Sequence, residues 1–201
     1  GDYDAENDRS SVKKKKKSAG IDSNPERSRK HYLSGQKKLE KFIRPMLATT
    51  MEEPLDGDEW IYEIKWDGYR AIADLRGGLQ LYSRNGLSFL GRYQAIEASL
   101  KQQQHEMILD GEIVAYNKEG KPDFQLLQHY DDNPQAPIVD QVFDLLYLNG
   151  HSTRELTLLQ RKELLREALT ETDHVKYSDH VEDRGSDFFI EIEKNDLEGM
   201  M

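Results

Sequence analysis

Apolar and polar residues recur with a regular period over most of the chain, but not near its N-terminus. Residues 1 to 41 are charged and poor in large apolar side chains, which is typical of a flexible tail or linker. Residues 42 to 201 form the predicted ordered domain. Within it, residues 60 to 66 alternate between apolar and polar types and predict a strand. Residues 69 to 75 and 79 to 84 flank a two-glycine turn and predict a hairpin.

The rest of the domain interleaves predicted strands and helices. Strands are predicted over residues 107 to 116, 138 to 148 and 175 to 181, and helices over residues 93 to 104, 124 to 129 and 186 to 195. A further helix begins after Thr157, a favourable N-cap, and its predicted apolar stripe consists of Leu158, Leu159, Leu164, Leu165 and Leu169. Leu87 and Leu90 are predicted to lie in the core. Mostly antiparallel strands with helices between them indicate an α+β fold.

Composition excludes several classes of protein. The 201 residues allow one ordinary domain with an appendage. The chain contains no cysteine, which excludes a disulfide framework and thiolate metal sites, and its histidines show no zinc-type spacing. No apolar run is long enough for a membrane span or a signal peptide, so no membrane partner is expected and a cytoplasmic location is predicted.

Charge is unevenly distributed along the chain. The net charge is −10, yet residues 1 to 45 contain thirteen basic and seven acidic residues, a net charge of +6 that leaves −16 for the remainder. The five lysines at residues 13 to 17 are either a solvated tether or an electrostatic contact to DNA. An acidic body can still bind DNA when positive charge is concentrated in one groove, and it also suggests a basic partner domain elsewhere.

Lys65 is the candidate nucleophile. It stands in the run EIKWDGYR at residues 63 to 70, at the end of an alternating segment and just before a glycine turn. A lysine held between a strand and a tight turn can have a fixed orientation. A partly desolvated amine becomes nucleophilic near neutral pH. The alternative is a solvated lysine at a strand end.

Six segments in a fixed order extend this motif. They are KWDGYR at 65 to 70, SRNG at 83 to 86, LDGEIV at 109 to 114, VFDLL at 142 to 146, Arg161 in leucine-rich surroundings, and Glu198-Gly199, with a lead-in RPMLA at 44 to 48. This series resembles the covalent nucleotidyltransferases, specifically the ATP-dependent DNA ligases, and most of all the ligase module of bacterial multifunctional end-joining ligases. The resemblance implies two mainly antiparallel sheets flanked by helices, the ATP-grasp-like covalent nucleotidyltransferase fold, with the nucleotide between the sheets.

The resemblance also implies a reaction and its cofactors. Lys65 would attack the α-phosphate of ATP, with Mg²⁺ or Mn²⁺ present, to form a covalent lysine–AMP. The AMP would then activate the 5′-phosphate of a DNA break for joining to the 3′-hydroxyl during DNA repair. Phosphoryl transfer depends on positioning and charge stabilisation, so lysine, arginine and carboxylate side chains are the expected participants.

Further residues receive roles by the same resemblance. Glu63 and the backbone of Ile64 would read the adenine edge, and the Phe143 ring would stack on the base. Ribose and phosphate contacts would come from Arg70 and Arg84, and Arg161 would lie near the nucleotide. Glu112 would bind a ribose hydroxyl or the metal ion, and Glu198 would hold the metal ion, since Mg²⁺ prefers oxygen ligands.

Each of these residues has a plainer interpretation. Glu63 could form an ordinary ion pair, and Phe143 could be one core residue among apolar neighbours. Arg161 could lie on a solvated helix face, and Arg70 and Arg84 could be surface arginines.

The ligases that this chain resembles continue beyond the point at which it ends. They add a strand with two lysines and an oligonucleotide-binding domain, so a C-terminally incomplete adenylation domain of doubtful activity on its own is expected. The initial Gly1 likewise suggests a piece of a longer chain. Expected partners are nicked or broken double-stranded DNA, the missing domain, and polymerase and phosphoesterase modules, at a bacterial nucleoid. Alternatives are an RNA ligase, an mRNA-capping guanylyltransferase, or a non-catalytic ligase fragment.

Overall fold

The computed structural model of the chain describes residues 43–46, 60–182, 185–194 and 197–201. The predicted tail at residues 1 to 41 lies outside these ranges, as does the end of the lead-in segment. The strands are β1 (Ile61–Glu63), β2 (Tyr69–Asp74), β3 (Gln80–Ser83), β4 (Met107–Ala115), β5 (Ile138–Leu148), β6 (His151–Ser152), β7 (Val175–Tyr177) and β8 (His180–Glu182). The helices are α1 (Gln94–Leu100), α2 (Phe124–Gln128), α3 (Leu158–Ala168) and α4 (Gly185–Lys194).

A six-stranded sheet forms the larger part of the fold. Its strands follow the order β3-β2-β4-β5-β6, all antiparallel, and β7 adds parallel to β5. Alternation along β4 divides its side chains between two faces, because successive strand residues point in opposite directions. Leu109 and Ile113 join the main core with Ile96 of α1 and Leu165 of α3. The opposite face carries charged residues of β2 and β4, which places the candidate chemistry away from the main helical layer.

A small second sheet covers part of that charged face. Strands β1 and β8 pair antiparallel, and the end of the described chain pairs with the other edge of β1. The amide of Glu63 donates to the carbonyl of Met201 at 2.8 Å, and the amide of Lys65 donates to the carbonyl of Gly199 at 2.9 Å. These backbone bonds bring Lys65 next to the C-terminal segment.

The predicted α+β class with two mainly antiparallel sheets is confirmed. The predicted hairpin is β2–β3, and Thr157 caps α3 as predicted. The single strand predicted over residues 175 to 181 is wrong. The chain instead forms β7 in the large sheet and β8 in the small sheet, since Val175 joins the main core whereas His180 pairs with Glu63.

Three other predictions need correction. The helix predicted over residues 93 to 104 spans only Gln94–Leu100. Leu87 and Leu90 are exposed, whereas Phe89 between them is buried in the main core, where its ring packs against Tyr69 and Tyr93. Leu158 and Leu159 are also partly exposed. No helix in the described ranges has the length and apolar character that crossing a bilayer requires.

Candidate active site

A cleft of about 250 Å³ lies between the β1 side and the charged face of the large sheet. Its lining includes five residues singled out from the sequence, namely Lys65, Arg70, Glu112, Phe143 and Glu198. Because these residues come from β2, β4, β5 and both ends of the ordered domain, only the tertiary fold brings them together.

Lys65 is held at this cleft by both its backbone and its side chain. Its amide is fixed on Gly199, and its ammonium group forms an ion pair with the carboxylate of Glu198. The Lys65 side chain is 47% exposed and that of Glu198 is 37% exposed, so a ligand can reach both groups. A terminal amine fixed at the edge of an open cleft is well placed to act as a nucleophile.

The turn after Lys65 packs closely on β4. A Cβ atom at Gly68 would overlap the carbonyl oxygen of Ile113, so this position requires glycine for lack of space. Next to it, burial raises the pKa of Asp67, as does the nearby charge of Glu198, while the charge of Lys65 lowers it. The turn therefore fixes the chain that follows the lysine against the large sheet.

Arg70 occupies the floor of the cleft in one defined position. Its guanidinium group donates two hydrogen bonds to the carboxylate of Asp110, one of them at 2.8 Å, and lies 4.6 Å from the centre of the Phe143 ring. Since Nε and Nη2 are engaged by Asp110, Nη1 is the nitrogen of this guanidinium group that could donate to a phosphate.

Glu112 is a second carboxyl group in the same cleft. Burial raises its pKa to about 8, the charge of Arg70 lowers it, and Glu198 is among the carboxylates that raise it. Glu112 and Glu198 both line the cleft.

A divalent cation would favour the charged form of Glu112, and Mg²⁺ or Mn²⁺ would find in these two groups the oxygen ligands that it prefers. The two carboxylates fit such an ion as a sparse site completed by water or phosphate. Within the described ranges, no group of three or more histidine, aspartate and glutamate side chains forms a denser site.

Glu63 lies behind the cleft wall and pairs with a residue that sequence reasoning missed. It is 7% exposed, and its carboxylate accepts a hydrogen bond from the ammonium group of Lys162 on α3. Lys162 is fully buried. Helical spacing could have indicated it, since Lys162 lies three residues from Leu165, whose side chain is in the core.

The remaining predicted site residues lie outside this cleft. Arg161 is buried and donates two hydrogen bonds to Asp144, at 2.7 and 2.9 Å, so it does not lie on a solvated face. Arg84 is exposed on the turn after β3. Ile64 lines an adjoining cavity of about 230 Å³, together with Lys65 and Glu198.

The fold has two mainly antiparallel sheets, and a lysine lies at the cleft between them among arginine and carboxylate groups. These features define a nucleotidyltransferase type of domain. This chain belongs to the ATP dependent DNA ligase domain family, whose model matches residues 45–201. The rival RNA ligase and capping-enzyme interpretations are not favoured by this assignment.

Relatives of the chain are end-joining proteins and DNA ligases. It is 33% identical over 180 residues to the multifunctional non-homologous end joining protein LigD of Pseudomonas aeruginosa, a match over 87% of this chain and 21% of that protein. It is 33% identical over 181 residues to a DNA ligase of Sulfophobococcus zilligii, covering 79% of this chain and 30% of the ligase. The chain thus spans about a fifth to a third of the length of these relatives.

A solved structure shows the same fold. It is described as mycobacterial DNA ligase D complexed with ATP and MES, and the match has a TM-score of 0.69 and 29% sequence identity. The match covers 78% of this chain and 52% of the solved chain.

Proposed function

We propose that this domain carries out the adenylation step of DNA joining, in which AMP is transferred from ATP to Lys65. The observation that carries the proposal is the position of Lys65, whose backbone is fixed by Gly199 and whose amine meets Glu198 at an open cleft. Family membership and a related structure complexed with ATP support ATP as the nucleotide.

The proposed step forms one bond and breaks another. The Nζ of Lys65 attacks the α-phosphorus of ATP, the bond from that phosphorus to the bridging oxygen of the β-phosphate breaks, and pyrophosphate leaves. The amine must first lose a proton, and because the Lys65 side chain is partly exposed, that proton can pass to solvent.

Positive charge near the phosphates would stabilise the step. Arg70 is the fixed cation of the cleft, and its charge is held in place by Asp110. Glu112 and Glu198 would hold Mg²⁺ or Mn²⁺, which when bound supplies further positive charge. Removing one preorganised contact of this kind costs roughly a hundredfold in rate or more.

The base and sugar would occupy the remainder of the cleft. The Phe143 ring lines the cleft and offers an aromatic face for adenine, and the Glu63 carboxylate is held in place by Lys162. Glu112, which lines the same cleft, would accept a hydrogen bond from a ribose hydroxyl. Arg84 remains a predicted contact to the nucleotide, and Arg161 remains predicted to lie near it, although both lie outside the lining of this cleft.

The substrate that we propose for the activated phosphate is a broken or nicked DNA duplex. Support comes from the relatives, which are named for non-homologous end joining and DNA ligation. Joining would also need an oligonucleotide-binding domain, and polymerase and phosphoesterase modules would belong to the same parent protein. Such a role would place the protein in the bacterial cytoplasm at the nucleoid.

A label-position experiment tests the adenylation step. The chain is incubated with Mg²⁺ and ATP labelled at either the α- or the γ-phosphate, and is then separated by denaturing electrophoresis. Label from the α-position is expected to stay on the protein, whereas label from the γ-position leaves with pyrophosphate. Retention of γ-label would contradict the proposal, and a stronger adduct from α-labelled GTP would favour a guanylyltransferase.

A further inference from the structure

Ser178 connects the large sheet, helix α3 and the segment of Lys65. It is 2% exposed and lies in the link between β7 and β8. Its amide donates to the carbonyl of Val142 on β5 at 2.8 Å, and its carbonyl accepts from the ammonium group of Lys162 on α3 at 2.9 Å. Its hydroxyl accepts from Nε1 of Trp66 at 2.9 Å. A buried serine that is bonded through both its backbone and its side chain has a fixed position.

The core of the domain sets the position of Ser178. Val142 is fully buried and directly precedes Phe143, which lines the cleft. Lys162 is also fully buried, and its ammonium group binds the carboxylate of Glu63 on β1 and, at 3.4 Å, the carbonyl of Phe143. The link that carries Ser178 is therefore held to both β5 and α3, next to a residue that lines the cleft.

Trp66 directly follows the proposed nucleophile. It lines both the cleft and the adjoining cavity, and within the described ranges the bond to Ser178 is the one hydrogen bond of its indole group. Residues 65–67 belong to no helix or strand. This stretch is instead held at single points, on one side by the bond from the Lys65 amide to Gly199 and on the other by the indole of Trp66.

The direction of the Lys65 amine matters more for its reaction than for the binding of a nucleotide. Attack on phosphorus requires the nitrogen to lie close to that atom and in line with the bond that breaks, and a displacement of about 1 Å can slow such a step by about a hundredfold. Affinity for the nucleotide depends on the other groups of the cleft. A bond that only fixes the chain beside the lysine should therefore influence the rate and leave the affinity nearly unchanged.

We propose that Ser178 is a positioning residue for the adenylation of Lys65. Its hydroxyl holds the Trp66 indole, and thereby fixes the segment that carries the lysine relative to the β5 wall of the cleft. This inference rests on the proposed function. It assigns a role to a residue that lies outside the cleft lining and belongs to none of the sequence motifs.

The test removes the two partners of this hydrogen bond separately and together. Ser178→Ala keeps the backbone bonds of the residue and loses only the hydroxyl, and Trp66→Phe keeps an aromatic ring and loses the indole donor. The full chain and each variant are incubated with Mg²⁺ and a series of ATP concentrations, and adduct formation is followed by intact mass. The rate at saturating ATP and the ATP concentration that gives half this rate are measured.

Ser178→Ala is expected to lower the saturating rate by about tenfold and to change the half-saturating ATP concentration by less than about twofold. Because the hydroxyl acts through the indole, Ser178→Ala should cause little further loss in a chain that already carries Trp66→Phe. Independent losses that multiply in the double variant would overturn the inference, as would a higher half-saturating concentration at an unchanged saturating rate. Ser99→Ala truncates another buried serine, on α1 outside the cleft lining, and is the matched control that should leave both quantities unchanged.

The fluorescence of Trp66 gives a readout that does not involve nucleotide. The chain has two tryptophans, so Trp60→Phe leaves Trp66 as the only one. In this background, Ser178→Ala should increase the quenching of the emission by acrylamide, because the indole is no longer held, whereas Ser99→Ala should not. Quenching that is unchanged by Ser178→Ala would overturn the inference.

Urea unfolding of each variant establishes that the chains compared are folded. Trp66→Phe lies at a partly buried side chain, so it tests the same bond if Ser178→Ala does not fold. A saturating rate that is unchanged by Trp66→Phe would overturn the inference. The absence of any adduct on the unaltered chain would instead contradict the proposed function.

Discussion

Asp140 is a buried acid, and one of its carboxyl oxygens has no hydrogen-bond partner in the described part of the chain. It is 1% exposed on β5, and its Oδ1 atom has no hydrogen bond. Gly111 on the neighbouring strand leaves the space for this oxygen, since a Cβ atom there would overlap it. Burial, and to a lesser degree the charge of Asp110, raises the pKa of Asp140 to about 7. The folded protein therefore holds a proton here that an unfolded aspartate releases near pH 4.

Because of this proton, the stability of the folded protein changes with pH in a defined direction. Between about pH 4 and pH 7 the folded state binds more protons than the unfolded state at this residue, so its contribution to stability falls as pH rises. The asparagine in Asp140→Asn cannot ionise. The free energy of unfolding of this variant should therefore change less with pH, by up to about 1.4 kcal/mol per pH unit in this window. Urea unfolding at pH 5, 6, 7 and 8 measures the difference. Parallel pH profiles for the two proteins would show that Asp140 does not titrate as described.

Helix α3 delivers two charged side chains to the region behind the cleft. Its N-cap, Thr157, accepts a hydrogen bond from the amide of Gln160 at 3.3 Å, and the Gln160 side chain accepts one from the amide of Thr157 at 3.0 Å. This reciprocal capping box fixes where the helix begins. The start of the helix in turn determines that Arg161 and Lys162 point inward.

Removal of the cap should weaken the domain without removing a site residue. Thr157→Ala is expected to lower the free energy of unfolding by about 1 kcal/mol, because one amide at the helix end loses its acceptor. Thr157→Ser keeps the hydroxyl group and serves as the control. Both are compared with the unaltered chain by urea denaturation, and equal stability of the alanine and serine variants would show that the box contributes little.

Local sequence patterns predicted the positions of helices and strands better than they predicted which residues are buried. Thr157 and the leucines that follow gave the helix and its start, but the predicted apolar stripe included Leu158 and Leu159, which are partly exposed. Arg161 and Lys162 are buried instead, since Asp144 and Glu63 from distant strands neutralise them. Hydropathy assigns a charged residue to the surface, and it carries no information about a partner 99 positions away in the sequence.

The same limit applies to the site. Lys65, Arg70, Glu112, Phe143 and Glu198 were selected through ordered motifs, and the fold places all five at one cleft. Their motifs did not indicate that Lys65 would pair with Glu198, because that contact depends on how the C-terminal segment joins β1.

At the scale of the whole molecule, charge separates the N-terminal region from the rest. Residues 1 to 40 contain eleven basic and seven acidic residues, a net charge of +4, so the remainder of the chain carries −14. Phosphate contacts dominate DNA affinity and weaken steeply with salt. An acidic domain without this basic region should therefore bind a nicked duplex poorly.

Substitution of the lysine run tests this charge argument. Replacement of the five lysines at residues 13 to 17 by glutamine should weaken binding to a nicked duplex and flatten its dependence on salt. Removal of residues 1 to 12, which include four acidic residues and one basic residue, is the matched control and should not weaken binding. Fluorescence anisotropy between 50 and 200 mM salt, roughly the range over which such contacts are lost, measures both effects. If binding and salt slope are unchanged by the glutamine substitutions, the run is only a tether.

The residue that carries AMP after the reaction can be identified by substitution. Lys65→Ala is compared with the unaltered chain and with Lys101→Ala, using α-labelled ATP and intact mass to detect the adduct. An AMP adduct is expected on the unaltered chain and on Lys101→Ala, and none is expected on Lys65→Ala. The Lys65→Ala chain should remain folded, since the change lies at a half-exposed side chain and should cost only about 0.5 kcal/mol. An adduct that persists on a folded Lys65→Ala chain would contradict the assignment of Lys65 as the nucleophile.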